Sequence, residues 1–211
     1  MAKGPRGRSA GASARPRRPS RPAGRPPRLV VLAGLPGVGK STLARELARA
    51  LGATWLRVDT IEAALLKAGL PRSFETGLAA YVAAADLAVE ALGVGSDVVI
   101  DAVNGVAEAR RLWRRVAQRT GARRYVVELR CDDRAEHRHR VEARARPTPP
   151  LPSPSWSEVL AREYVPWREP ILSVDGRRPV GETVPRVLRH LGGPRRGRRA
   201  ARRPSGPSGS S

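Results

Sequence analysis

Residues 34–41 read Gly-Leu-Pro-Gly-Val-Gly-Lys-Ser and follow directly on the apolar run Leu29–Ala33. This octapeptide fills every fixed position of the phosphate-binding pattern G-x-x-x-x-G-K-[ST], which requires a strand before it and a helix after it. The glycines let the backbone turn its N–H groups inward, and the helix N-terminus adds partial positive charge to the same anion site. A glycine-rich turn that merely closes tightly is disfavoured by the complete match in this context. The sequence therefore predicts a strand, a phosphate-binding loop and a helix that bind a nucleoside triphosphate.

The side chains of the loop have separate expected tasks. Lys40 can reach the β- and γ-phosphates, and the Ser41 hydroxyl can bind Mg²⁺. ATP and Mg²⁺ are therefore the expected cofactors. The predicted nucleotide-binding residues are Gly34, Leu35, Pro36, Gly37, Val38, Gly39, Lys40, Ser41 and Thr42.

The charge of the chain is concentrated at its ends. The formal net charge is +21, but residues 1–28 hold nine Lys or Arg and residues 193–211 hold six, with no acid in either segment. Subtracting these fifteen charges leaves +6 for the 164 residues between them. With 211 residues and 40% hydrophobic content, the chain can form one α/β domain with a sizeable core. We expect that domain at residues 28–192.

The terminal segments 1–27 and 193–211 are rich in Arg, Pro, Gly and Ser and have no apolar periodicity. This composition predicts disordered tails. Such tails could contact nucleic acid or another polyanion weakly and non-specifically through counterion release. A solubilising role is favoured, because no aromatic residues are interleaved for base stacking. The proline density also disfavours an amphipathic transit peptide at the N-terminus.

Other partners and metals are constrained by what the sequence contains. We find no run of 18 apolar residues and no signal-peptide core, so we expect a cytoplasmic protein without membrane contact. The single Cys131 cannot form an internal disulfide, and the three histidines, at positions 137, 139 and 190, do not have zinc-ligand spacing. Mg²⁺ carried in with the nucleotide is the expected metal.

Short β-branched runs alternate with longer helical patterns along the core, which is typical of βαβ units and a parallel sheet. The pattern predicts five strands and seven helices, with a proline-rich loop at 147–155. The strands are expected at 29–33, 55–58, 97–101, 124–130 and 171–174, and the helices at 40–51, 61–68, 75–92, 107–119, 132–146, 157–164 and 182–191.

Two acidic residues follow predicted strands, at the sheet edge where ligands gather in open α/β folds. Asp101 ends a hydrophobic strand, the position from which a carboxylate approaches Mg²⁺; the alternative is a cap for the next helix. Asp59 ends another strand and is the candidate for orienting or deprotonating an acceptor hydroxyl. Its alternative is a helix N-cap, because Asp59 and Glu62 have the spacing of a capping pair.

The predicted helix 132–146 is rich in arginine. Arg140 and Arg144 lie one turn apart on one face, as do Arg134 and Arg138. Like charges stacked in this way repel, which is consistent with a phosphate that later binds between them. The alternative is a solvated basic helix whose acidic neighbours are Asp132, Asp133, Glu136 and Glu142.

Taken in order, these motifs resemble the small P-loop kinases of the AAA-family ATPase group, which includes gluconate kinases, chloramphenicol phosphotransferase-like enzymes, zeta-toxin-like kinases and polynucleotide kinase domains. The resemblance covers residues 28–192. It depends on the loop 34–41, the pair Val58-Asp59, the segment 98–104, and a Cys131-Asp132-Asp133 turn that leads into Arg140-x-x-x-Arg144. The group often has an arginine soon after the acid at the second strand, whereas here none occurs between Asp59 and Arg72.

The resemblance implies a P-loop NTPase fold of the nucleoside-monophosphate-kinase type, a five-stranded parallel sheet in the order 2-3-1-4-5 flanked by helices. It also implies transfer of the γ-phosphate of ATP to a hydroxyl of a small molecule, whose identity stays open. Lys40, Asp59, Arg140 and Arg144 would be the catalytic residues, the two arginines as part of a lid. Residues 69–91 would cover the acceptor.

A second class of function competes with the kinase. A nucleotide-dependent ATPase switch, or a nucleic-acid-associated binding protein that uses its basic tails, would also need the phosphate-binding loop. A switch, however, has no need of Asp59. A ring-forming AAA motor is disfavoured because the chain ends soon after its fifth strand.

Overall fold

The computed structural model describes residues 25–143 and 153–193. Nearly all of the two predicted tails and residues 147–152 of the predicted proline-rich loop lie outside these residues, and so does Arg144.

The five strands form one parallel sheet in the order β2-β3-β1-β4-β5, which confirms the expected order. The strands are β1 (Arg28–Ala33), β2 (Thr54–Arg57), β3 (Val98–Asp101), β4 (Arg123–Arg130) and β5 (Leu172–Asp175). The helices of the described residues are α1 (Lys40–Leu51), α2 (Val58–Lys67), α3 (Phe74–Gly93), α4 (Ala107–Thr120), α5 (Arg134–Ala143), α6 (Trp156–Ala161) and α7 (Val180–His190).

Helices cover both faces of the sheet, so its central strand is buried on both sides. Along β1, Leu29 and Val31 point into one core, and Val30 and Leu32 point into the other, as the period of two in a strand requires. The first core includes residues of α2, α3 and α4, and the second includes residues of α1 and α7. This two-sided burial explains why the strands read as continuous apolar runs.

Helix α3 is the most apolar helix of the described residues by composition. By length and by mean hydropathy, which is 1.3, its 20 residues form a candidate membrane span. In the folded protein, 33% of this apolar stretch is buried. A core helix passes the same test, and α3 packs small residues at helical spacing, Ala80, Ala84 and Ala88, into the first core.

The boundary between β2 and α2 differs from the prediction. Strand β2 ends at Arg57, and Val58 is the first residue of α2 rather than the last of the strand. Val58 is 2% exposed in the first core, so its burial fits a helix start as well as a strand end. Asp59 therefore lies in the first turn of α2. Arg57 is the N-cap residue and its side chain makes no capping hydrogen bond. The alternative role for Asp59, a helix N-cap paired with Glu62, is therefore wrong.

Candidate nucleotide and acceptor site

The phosphate-binding loop follows β1 and requires glycine at two closely packed positions. Gly34 has φ 133°, and a Cβ there would lie 2.3 Å from the carbonyl oxygen of Leu129 in β4. Gly37 has φ 90°, and a Cβ there would lie 2.6 Å from Cγ2 of Val141 in α5. Side chains rarely adopt these φ values, so the loop can lie between β4 and α5 only with glycine at both positions.

Helix α1 starts at Lys40, directly after Gly39. Because Gly39 has no side chain, no N-cap side chain bonds to the first turn of α1. The Nζ atom of Lys40 donates to the carbonyl oxygen of Leu35 at 2.9 Å, so the ammonium group lies against the loop. A glycine-rich loop, a helix N-terminus and a lysine are together the elements of an anion site.

Asp101 lies at the end of β3, where it pairs in register with Leu32 of β1. The residue is 2% exposed, and the Ser41 hydroxyl lies close enough to its carboxylate to affect the pKa. Burial raises the pKa of Asp101, although Ser41, Lys40 and Arg57 act in the opposite direction. The N-cap of α4 is Val106, so Asp101 is not the cap of that helix.

The donor set at Asp101 fits Mg²⁺. Within the part of the chain that the structure describes, Oδ2 of Asp101 is the buried side-chain atom that has no hydrogen-bond partner. Mg²⁺ binds few protein oxygens and keeps water and phosphate oxygens in its remaining positions. The described residues contain no group of three or more His, Cys, Asp or Glu that could hold an ion. Ser41 and Asp101 are therefore suited to a Mg²⁺ ion that is bound together with a nucleotide.

A cavity of about 610 Å³, which we call the α2 cavity, opens beside the loop. Lys40 and Ser41 from the loop line it together with Asp59 and Glu62 from α2. The Asp59 side chain is 52% exposed. Burial and the charge of Asp59 raise the pKa of Glu62. The structure thus brings Asp59 and the phosphate-binding loop to one cavity, although Asp59 comes from the start of a helix.

Two arginines of the α2 cavity, Arg57 and Arg162, were missed by the sequence interpretation, whereas Arg72 lies in the segment 69–91 that was expected to cover the acceptor. Arg57 lies between two carboxylates. Its Nη2 atom is 3.4 Å from Oδ2 of Asp59, and its Nε atom is 3.9 Å from Oδ2 of Asp101. Arg72 and Arg162 line the same cavity. The resembled group often has an arginine soon after the acid, and this chain has none there. Instead Arg57 precedes Asp59 by two residues, and the β2–α2 boundary places both side chains together. No local signal connects residue 162 with residue 59.

Arg140 lines a different cavity from Asp59. This second cavity, of about 520 Å³, is bounded by α5, by Thr42 of α1 and by the turn after β5, and it shares Gly37 and Gly39 with the α2 cavity. Arg140 donates to the carbonyl oxygen of Gly176 at 2.7 Å and pairs with Glu136 at 2.6 Å. The structure therefore does not bring Arg140 and Asp59 together at one cavity.

His137 connects the loop to two helices. Its side chain is buried, its Nε2 atom lies 2.7 Å from the carbonyl oxygen of Pro36, and its ring meets Trp156 of α6 edge-on at 5.2 Å. The sequence interpretation considered His137 only as a possible zinc ligand, and its spacing from the other histidines argued against that role. Its contacts instead make it a structural link between α5, α6 and the loop.

Asn104 fixes the strand end that precedes the loop. It is fully buried, with φ 51°. Its Nδ2 donates to the carbonyl oxygen of Leu32 at 2.6 Å, and its Oδ1 accepts from Nε1 of Trp113 at 2.7 Å. Asn104 therefore connects β1 to α4 immediately below the phosphate-binding loop.

Arg110 holds the segment that follows α6. Its guanidinium donates to the carbonyl oxygens of Val165 and Pro166 and lies 3.8 Å from the ring centroid of Trp167. It also donates to the carbonyl oxygens of Asn104 and Gly105. This network attaches the chain near Arg162 to the start of α4.

The sequence profile of a family described as "AAA domain" matches residues 29–164. This match covers more than half of the chain, and the chain belongs to this family. Among curated proteins, the uncharacterized protein Rv2004c of Mycobacterium tuberculosis and the uncharacterized protein Mb2027c of Mycobacterium bovis are each 35% identical over 115 residues. Each match covers 49% of this chain and 23% of the relative. The chain thus spans about a quarter of the length of the curated relatives it matches.

Solved kinases share the fold. The APS kinase of M. tuberculosis in complex with AMPPNP and APS superposes with a TM-score of 0.61 at 22% identity, over 79% of this chain and 98% of that chain. A gluconokinase from Sinorhizobium meliloti gives 0.57 at 21% identity, over 80% and 93%. A sugar kinase from Janibacter gives 0.59 at 20% identity, over 79% and 95%. At these identities the likeness establishes the fold, which is that of a small P-loop kinase.

Proposed function

We propose that the protein is an ATP-dependent phosphotransferase of the cytoplasm that transfers the γ-phosphate of ATP to a hydroxyl group of a small molecule. The observation that carries this proposal is that Asp59 and the phosphate-binding loop line one cavity. A protein that only binds or hydrolyses ATP has no need of the Asp59 carboxylate in the cavity that the loop lines. This cavity, at about 610 Å³, has the volume of a small-molecule site.

The residues of the site divide the work of such a transfer. The loop amides and Lys40 hold the triphosphate, and Asp59 orients the acceptor hydroxyl and accepts its proton. The guanidinium of Arg57 lies between the carboxylates of Asp59 and Asp101, and it helps to position the Asp59 carboxylate. Mg²⁺, held by Ser41 and Asp101, would neutralise charge on the phosphates.

The two lid arginines belong to the same proposal. Arg140 lies one turn from the end of the described part of α5, and Arg144 lies outside the described residues. Arginines that stabilise the charge of the transferring phosphate can contribute on the order of 10³–10⁵ in rate. For Arg140 to do so, its guanidinium, which is bonded to Glu136 and Gly176, must reach the transferring phosphate when ATP binds.

The roles of Lys40 and Asp59 can be separated by experiment. We expect Lys40→Ala to abolish turnover with every acceptor. We expect Asp59→Asn to lower kcat while the dissociation constant for ATP stays close to that of the wild type, because Asp59 lies on the acceptor side. Arg49, an exposed residue of α1 outside both cavities, supplies the control variant Arg49→Gln. Near-normal turnover by Lys40→Ala would contradict the proposal, and an equal loss of turnover and ATP binding in Asp59→Asn would assign Asp59 a folding role.

In addition to the favoured solubilising role, we propose that the basic tails make weak, non-specific contacts with polyanions. This contact should weaken steeply as salt rises. Arg25 donates to the carbonyl oxygen of Gly192, so a truncation that removes 1–24 and 194–211 retains that contact. We expect the truncated protein to lose salt-sensitive binding to an oligonucleotide and to keep its turnover with a small acceptor. Binding that survives truncation would contradict the proposed role.

A further inference from the structure

We propose that the acceptor carries an anionic group, a carboxylate, sulfate or phosphate, in addition to its hydroxyl, and that Arg72 and Arg162 bind this group in the α2 cavity. The proposal depends on the proposed function for the meaning of "acceptor". The binding site itself depends only on the residues that line the cavity.

The lining of the α2 cavity has an excess of positive charge. Lys40 is assigned to the nucleotide, and Arg57 is held between Asp59 and Asp101. Of the remaining charged residues that line the cavity, three are cations and one is an acid; they are Lys67, Arg72, Arg162 and Glu62. A neutral ligand would leave this excess charge without a counter-ion.

The two arginines line the cavity on the side of α6. Arg72 lies 4.0 Å from Glu158 of that helix, and Arg162 is its C-cap residue. Both also act to lower the pKa of Glu62. Glu62 comes three residues after Asp59 on α2, which corresponds to a rise of about 4.5 Å. An anionic group near Arg72 and Arg162 would therefore lie within the length of a small molecule from a hydroxyl at Asp59.

Arg72 is available to a ligand. Its side chain is 58% exposed, and its nearest carboxylate oxygen, Oε1 of Glu158, is 4.0 Å away. The other oxygen of Glu158 accepts from the backbone N–H of Ser155 in the cap of α6. An exposed ion pair of this length contributes little to stability. A bound anion can therefore replace Glu158 as the partner of Arg72.

Arg162 is held by the surrounding backbone. It is the C-cap residue of α6, where its N–H donates to the carbonyl oxygen of Val159. The segment that follows is fixed by the bonds from Arg110 to Val165 and Pro166. The planar donors of a guanidinium match two oxygens of a carboxylate, sulfate or phosphate. Because the backbone at Arg162 is already fixed, less backbone entropy is lost when its side chain binds such a group.

The first test compares matched acceptors. Each pair has one carbon skeleton with and without the anion: glycerate and glycerol, gluconate and sorbitol, ribose 5-phosphate and ribose. We expect the anionic member of at least one pair to have the higher kcat/KM. In the double variant Arg72→Gln with Arg162→Gln, this preference should fall about tenfold, with the neutral member little changed. Arg168→Gln is the control, since Arg168 is exposed and does not line the cavity. A wild-type preference for neutral members, or an unchanged preference in the double variant, would overturn the inference.

The second test measures binding without transfer. The protein is loaded with Mg²⁺ and AMPPNP, so that the phosphate-binding loop is filled, and is titrated with sodium sulfate at constant ionic strength while its melting temperature is followed. We expect saturable stabilisation in the wild type and in Arg168→Gln, and about tenfold weaker binding in the double variant. Equal stabilisation in all three proteins, or none in the wild type, would overturn the inference. If no acceptor is phosphorylated, the proposed function fails, and this titration still decides whether the anion site exists.

Discussion

Removal of the Asn104 side chain should destabilise the protein strongly. The substitution leaves the carbonyl oxygen of Leu32 and Nε1 of Trp113 buried without their present partners. Each such group costs about 1–3 kcal/mol, so Asn104→Gly should lose about 4 kcal/mol. Asn104→Ala should lose about 1 kcal/mol more, because φ 51° is unfavourable for alanine.

The assay for this prediction is urea unfolding followed by far-ultraviolet circular dichroism. In a parallel thermal melt, 1 kcal/mol corresponds to about 2–4 °C for a protein of this size, so the melting temperature should fall by about 8–16 °C. Gln118→Ala is the control, since Gln118 is exposed on α4, and it should change the free energy of unfolding by less than about 0.5 kcal/mol.

Two results would refute the reasoning about Asn104. A loss below about 1 kcal/mol in both variants would mean that water or a shifted neighbour bonds to the carbonyl oxygen of Leu32 and to Nε1 of Trp113 in place of Asn104. Greater stability for the alanine variant than for the glycine variant would mean that the left-handed backbone conformation is not what favours asparagine at this position. Either result would also remove the explanation for how the strand end below the phosphate-binding loop is fixed.

Three further perturbations test other parts of the structure. Gly37→Ala places a methyl group 2.6 Å from Val141 and should weaken ATP binding about tenfold in equilibrium dialysis; unchanged affinity would contradict the close packing of α5 on the loop. Asp97 forms a buried ion pair with Arg28 at 2.6 Å. Asp97→Ala leaves the Arg28 guanidinium without this counter-charge and should lower the free energy of unfolding in urea by about 3–5 kcal/mol; a loss below about 1 kcal/mol would contradict the burial of the pair. Arg124 lowers the pKa of Glu169 below its ordinary value of 4.5, so the stability that Glu169 contributes should be complete above that pH and lost as the pH falls through the lowered pKa. The advantage of the wild type over Glu169→Gln should therefore shrink as the pH falls below about 4.5, and a constant difference would contradict the pairing.

The sequence predicted the fold because its strongest signals are local. The loop 34–41 defines β1 and α1, and the apolar runs define the other strands within a few residues. Helix α1 has its predicted bounds, since Gly39 and Gly52 flank it in the left-handed conformation. Val58 shows the limit of this reasoning. A buried valine at a strand end and a buried valine at a helix start have the same pattern, and the error displaced Asp59 from the sheet edge into α2.

The rest of the candidate site depends on contacts between distant parts of the chain. Arg162 reaches the α2 cavity through a segment held by Arg110, and His137 meets the loop through a contact 101 residues apart in sequence. Periodicity and spacing report neighbours along the chain, so they contain no information on these contacts. The excess of positive charge in the lining of the α2 cavity is therefore apparent only in the folded structure, which brings these distant residues together.

The most direct test of the proposed phosphotransferase follows the γ-phosphate itself. ATP labelled at the γ-position is incubated with the protein, Mg²⁺ and the matched acceptors, and the label is separated into phosphorylated acceptor and free phosphate. We predict that the label accumulates in an acceptor, and that Lys40→Ala forms neither product. Label that is released only as free phosphate, at a rate independent of every acceptor, would contradict the account and favour a nucleotide-dependent ATPase switch.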